Sequence, residues 1–210
     1  MDKSARSTAA DANRRRMIEA ARHAFVDNGY AATTMKSIAQ RSGLSQESLY
    51  KTFGGKAGLL KAAYDTALAG DDKPVPMALR AHATAIRDAA TPEAAAHAWA
   101  DMVVTLGERI GPILDSVLAA GATDPAAAEL LRTMDAERLA GARMVAQHWS
   151  AAGWLSPHAE PDEHARTLWI LNSPDVRRLA APRERTVEDY HHWLVHMVRS
   201  SVLARDPSGD

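Results

Sequence analysis

Within six residues the sequence places Gln46, Glu47, Tyr50 and Lys51. They are the outward residues of a short helix, and they offer an amide, a carboxylate, a phenol and an ammonium. Such groups read base edges in a DNA groove or hold phosphates. Other chemistry is thinly represented. Cysteine is absent, which excludes disulfides and thiolate metal sites, and there is no glycine-rich phosphate loop or serine elbow. His192 and His196 have the spacing of two metal ligands on one helix, but no third ligand stands near them in sequence. No acids and histidines fall into a recognisable catalytic arrangement. The expectation is a protein that is not an enzyme and carries no cofactor. The alternative is an all-helical hydrolase or metal enzyme with a basic surface, and salt-sensitive duplex binding separates the two.

The elements that must position these groups are short. Thr33 or Thr34 caps a helix whose inward residues are Met35, Ile38 and Ala39, and which ends by Gly43. Ser45 caps the next, with Leu49 and Phe53 inward, and Gly54-Gly55 closes it. Two-turn helices are unstable alone and persist only when packed on each other. A tight turn at Ser42-Gly43-Leu44 would cross them steeply, in helix-turn-helix geometry, and project the second one toward a major groove. A longer helix precedes them from about Asn13 to Asn28, with Ile18, Ala21 and Phe25 as its stripe. Another follows from Lys56, with Leu59, Leu60, Ala63, Tyr64 and Ala67 inward.

Charge supports a polyanionic partner. The net charge is −1, yet residues 1–70 carry eleven Lys/Arg against six Asp/Glu, and the remaining 140 carry fourteen against twenty. A basic head on an acidic body fits nucleic acid, although solvated surface charge alone would also give this balance. No run of about 18 apolar residues marks a membrane span. The N-terminus lacks the apolar core of a signal peptide, so a cytoplasmic location is expected.

The stretch FVDNGYAATTMKSIAQRSGLSQESLYKTFGGKAGLL, residues 25–60, resembles the DNA-binding domain of the TetR family of transcriptional regulators. Gly29, Thr33-Thr34, Ile38-Ala39, Gly43-Leu44-Ser45, Leu49-Tyr50, Phe53 and Lys56-Ala57-Gly58-Leu59 carry the resemblance, which covers about residues 13–68. It implies an all-helical homodimer that binds a palindromic operator, usually as a repressor, and a body that binds a small effector and then releases DNA. Thr34, Tyr50 and Lys56 match phosphate-holding positions of the family. Gln46, Glu47 and Lys51 match base-facing or near-base positions. Glu47 is a departure: it either accepts from cytosine N4 or merely supports the helix N-terminus. Met35 is another, at a position where a longer polar residue would reach the groove. One of Arg14, Arg15 and Arg16 is expected to touch a phosphate, the alternative being a solvated helix start, and Arg6 in the tail is placed to reach a minor groove. The candidate DNA-contacting set is Arg14, Thr34, Lys36, Ser45, Gln46, Glu47, Tyr50, Lys51 and Lys56.

The expected organisation is a disordered tail at 1–12, a helix-turn-helix domain at 13–55, a connecting helix at 56–70 and an effector-binding and dimerisation domain at 71–210. That body reads as helices near 77–89, 92–110, 112–120, 125–151, 161–172, 174–180 and 187–204. Its candidate effector residues are Trp99, Met102, Val103, Leu106, Met134, Glu137 and His148. Glu137 and His148 either line a pocket or pair with Arg138 or another body residue. A mostly apolar ligand with a polar or cationic end would fit them. Residues 168–203 also resemble the last helices of the family. The expected dimer contact there comprises Trp169, Tyr190, Leu194, Met197, Val198 and Ser201.

Overall fold

The computed structural model describes residues 3–71, 73, 75–180 and 186–204, and side chains from residue 8 onward. Among them are ten α-helices: α1 (Lys3–Ala32), α2 (Met35–Ser42), α3 (Gln46–Phe53), α4 (Lys56–Ala69), α5 (Ala81–Arg87), α6 (Pro92–Gly121), α7 (Pro125–Ala151), α8 (Pro161–Leu171), α9 (Pro174–Ala180) and α10 (Val187–Ser201). The fold is all-α, as expected. Among the described residues the β-type pairing is one isolated bridge, Leu155 to Leu203. No helix in them is long and apolar enough to cross a membrane.

Several boundaries differ from the sequence reading. Helix α1 begins at Lys3, within the stretch expected to be a disordered tail. Ala5, Ala9, Ala10 and Ala12 favour helix, and nothing breaks the run. Its regular geometry stops at Gly29 (φ 74°, ψ 169°). Helix α6 runs unbroken through Gly111-Pro112, where two helices were expected. A proline clashes with the residue before it, and Gly111, lacking Cβ, offers it little to clash with. The expected helix at 77–89 is instead a 3-10 turn at Met77–Leu79 followed by α5, separated by the extended backbone of Arg80. The last helix stops at Ser201 rather than 204, because Leu203 joins the bridge.

The chain divides into two compact units. The first takes the residues up to Lys73 together with Glu108–Met134; the second takes 74–107 and the chain from Asp135 onward. Residues 108–134 therefore join the head rather than a body starting at 71. The reason is their apolar face. Ile113, Val117, Ala120, Ala127 and Leu130 share a core with Met17, Ile18, Ala21 and Phe25 of α1 and with Leu59, Leu60 and Ala63 of α4. Two polar contacts tie the same pieces. The buried Ser116 hydroxyl donates to the Phe25 carbonyl, and the Tyr30 hydroxyl donates to Asp124. Asp124 also accepts from the Ala126 and Ala127 amides at the start of α7. The Tyr30 bond, those amides and nearby Lys56 hold its carboxyl below the usual range, while burial, and then the carboxylate, push the phenol up.

In the second unit the core holds Trp99 and Val103 of α6, Trp149 of α7, Leu168 of α8 and Leu194 and Val198 of α10. Leu194 is fully buried by its own chain. Leu194→Ala is expected to destabilise this unit by about 2–5 kcal/mol, the range for truncating a buried leucine. Urea unfolding followed by tryptophan fluorescence checks this; an unchanged midpoint would place Leu194 outside the core.

Candidate nucleic-acid interface

The interface is built on α2 and α3, eight residues each. Their inner residues, Ile38 and Leu49, are fully buried. Caps set where each helix begins. The Thr34 hydroxyl accepts from the Ser37 amide (3.0 Å) while the Ser37 hydroxyl accepts from the Thr34 amide (3.2 Å). Ser45 accepts from the Ser48 amide (3.1 Å). Between them Gly43 takes the left-handed conformation (φ 66°, ψ 27°) that ends α2. From α1, Arg16 reaches across 26 residues and donates to the Ser42 carbonyl (2.7 Å), fixing the turn from outside. Thr33 is buried and donates to the Ala24 and Gly29 carbonyls, which anchors the chain leaving α1.

With the turn fixed, α3 presents an outward row. Gln46, Glu47, Tyr50 and Lys51 are all exposed, and Tyr50 keeps half of its surface free. Ser45, Thr34 and Lys36 are exposed beside them. Glu47 stands in the first turn of α3, where a carboxylate favours the helix N-terminus. That placement is compatible with both readings of this residue. Met35 is buried and supports α2 from within.

Residues 17–63 match the family described as bacterial regulatory proteins, tetR family. The head is a tetR-family head. The whole chain also has the fold of solved tetR-family structures. A Mesorhizobium loti protein assigned to the tetR family of transcriptional regulators is 21% identical, with a TM-score of 0.67 over 95% of this chain and 96% of that one. A transcriptional regulator from Saccharomonospora viridis, in complex with choline, is 17% identical, with a TM-score of 0.67 over 91% and 98%. SmeT, the repressor of the Stenotrophomonas maltophilia multidrug efflux pump SmeDEF, is 16% identical, with a TM-score of 0.64 over 94% and 93%. At such identities the likeness is one of fold. No curated protein matches the chain in sequence.

Two cations of the expected DNA-contacting set, Lys56 and Arg14, are engaged within the head itself. Lys56 donates to the Tyr30 and Thr33 carbonyls (2.9 and 3.2 Å) and lies 4.0 Å from the centre of the Tyr30 ring. Its ammonium thus ties the start of α4 to the end of α1 instead of pointing outward. What α4 leaves open there is its own first turn, since Gly55 supplies no side-chain cap. Those amides favour an anion. Arg14 is exposed but packs over the Phe53 ring at 4.9 Å. The side chains of residues 3–7, including Arg6, lie outside the described residues. Arg16, one of three arginines expected at the DNA backbone, instead clamps the turn, and Thr33 was not among the expected site residues; a buried threonine leaves no periodic mark in a sequence.

The expected effector residues are not gathered together. Trp99 and Val103 are buried in the core of the second unit, with Met102 packed against it and Leu106 half-buried. Met134 packs instead against the core of the first unit. Glu137 is exposed, which corrects its placement on the inner face of α7. The inner stripe runs Leu130, Met134, Arg138, Ala142, Ala146 and Trp149, so it passes through 138. Arg138 pairs with Asp135 (2.6 Å), not Glu137, and donates to the Trp169 carbonyl. Half-buried His148 donates Nε2 to the Arg87 carbonyl (3.0 Å).

The dimer residues also need correction. Tyr190, Leu194 and Val198 are buried in their own chain's core, so they cannot form a contact between copies. Trp169 and Met197 are half-buried and Ser201 is exposed. Among the described residues no three His, Asp or Glu side chains are placed to hold a metal ion, and His192 and His196 are both exposed.

These placements separate reading from positioning. Gln46→Ala and Lys51→Ala are expected to relax preference at particular base pairs, costing about 1–3 kcal/mol there. Tyr50→Phe is expected to weaken binding to all sequences alike. Lys56→Ala, having lost its tie to α1, is expected to lower thermal stability as well as affinity. Binding to a panel of single-base variants of one duplex, with melting curves, checks all four; uniform losses throughout would put the reading face elsewhere.

Proposed function

We propose that the chain is a ligand-responsive transcriptional regulator. It binds a palindromic DNA operator as a homodimer, acts as a repressor in the cytoplasm and lets go of DNA when its body takes up a small molecule. The observation that carries this reading is the exposed row Gln46, Glu47, Tyr50 and Lys51 on a helix fixed by caps at both ends of a tetR-type turn. The row faces water rather than the core, where it is open to a partner. The basic head adds attraction to phosphates. Two proteins of the same fold bear on the rest. SmeT is a repressor and has been seen with triclosan, and the S. viridis regulator holds choline.

Dimerisation follows from the operator reading, since one head covers only one half-site. The contact we favour uses the outer side of α8 and α10. Ile170 is half-exposed there, with Trp169 and Met197 partly covered beside it and Ser201 at the end of α10. Ile170→Glu should leave the fold intact, because the side chain is already in water, and shift the protein to monomer. Light scattering decides, and a stable dimer of this variant would rule out the placement.

Selection of bound sequences from random duplex DNA tests the main reading. Inverted half-sites should emerge. Log K should fall steeply with log salt, by about 0.9 for each phosphate contacted. Sequences without symmetry, or binding indifferent to salt, would refute it.

A further inference from the structure

The second unit contains all five tryptophans of the chain, Trp99, Trp149, Trp154, Trp169 and Trp193. Three polar atoms in or against its core have no hydrogen-bond partner among the described residues: the indole nitrogens of fully buried Trp149 and of Trp169, and the hydroxyl of Tyr190, which is 2% exposed. Buried polar groups are nearly always paired, so three orphans about one core ask for an explanation. Indole N–H can only donate, and the phenol donates as well as accepts. Burial pushes the Tyr190 phenol up to about 12, so it keeps its proton at neutral pH.

A cation stands next to this phenol. Arg177 of α9 lies with its guanidinium carbon 6.0 Å from the centre of the Tyr190 ring. One of its nitrogens donates to the Val104 carbonyl of α6 (3.2 Å). Gly107 makes the room, since a Cβ there would come within 2.1 Å of that nitrogen. A second guanidinium, that of Arg138, covers the Trp169 ring at 5.0 Å. The Tyr190 and Trp169 faces are thus already facing cations, which disfavours a cationic ligand beside them. No aspartate or glutamate is buried among the described residues. Arg138 is balanced by Asp135, whereas Arg177 has no ion pair among the described residues, so the core beside Tyr190 supplies donors and one uncompensated positive charge.

We infer that the second unit binds an apolar molecule ending in a carboxylate, with the Tyr190 hydroxyl and the Arg177 guanidinium as its recognition pair. This rests on the effector reading above and gives that effector a chemistry. It replaces the cationic end that Glu137 would have favoured, because Glu137 faces water. Tyr190 donates one charge-assisted hydrogen bond to the carboxylate, and Arg177 turns nitrogens not used on Val104 toward it. Indole and alkyl walls take the apolar part.

The test titrates the full chain with decanoate, decanol and decyltrimethylammonium below their micelle concentrations, read by tryptophan fluorescence, which reports only on the second unit. Decanoate should saturate at a concentration at least tenfold below decanol, with the ammonium weaker still. Tyr190→Phe keeps the core volume and should weaken decanoate about tenfold while leaving decanol and the melting temperature unchanged. Arg177→Gln should do the same; if it unfolds through loss of the Val104 bond, Tyr190→Phe decides alone. Equal or tighter binding of the ammonium overturns the carboxylate assignment but leaves a ligand-binding body standing. Decanoate binding untouched by Tyr190→Phe overturns the recognition pair. Absence of binding by all three overturns the inference, while the operator reading stands or falls by the duplex selection.

Discussion

Helices of eight residues do not persist in water by themselves, so the presentation of α3 depends on the burial of Ile38 and Leu49. Once these two are fixed against α1 and α4, the outward residues have no freedom to rotate into the core. The caps at Thr34 and Ser45 then set the register, and Gly43 sets the crossing. Arg16 and Lys56 reinforce the arrangement by spending charge on backbone carbonyls that the turn and the end of α1 expose. The tetR-type head thereby trades two of its cations for rigidity and leaves Lys36 and Lys51 outward.

Much of this head is legible in the sequence because its signals are local. Glycine at 43 and 54, hydroxyls at 34 and 45 and apolar residues four apart each act within one turn of helix. The direction of Lys56 was not legible. A lysine at a helix start favours an anion by any local rule, and only the approach of Tyr30 and Thr33 turns it inward. The start of α1 was misread for the opposite reason. Small polar residues suggest disorder, yet interspersed alanines extend a helix that packing has already nucleated further along.

The body was harder. In α7 the inner stripe is partly alanine, which weighs little in an apolar pattern, and it passes through Arg138. Counting from the large residues alone put Glu137 inside. In α10 the apolar stripe was real, but a stripe does not say whether its cover is the same chain or another copy. Tyr190, Leu194 and Val198 are covered by their own chain. The polar device that matters there, Arg177 packed beside Gly107 and bonded to the Val104 carbonyl, joins residues seventy or more positions apart.

The contact between Tyr30 and Asp124 spans 94 residues, and that between Ser116 and Phe25 spans 91. A growing chain therefore releases its DNA-binding helices well before it supplies the segment that completes their core. At about 5–20 residues per second on the ribosome, the face of α1 that carries Phe25 waits several seconds for its cover. During that interval the nascent head is an unfinished domain with an open apolar side. Its folding is paced by translation of a segment far downstream rather than by the speed with which its own short helices form.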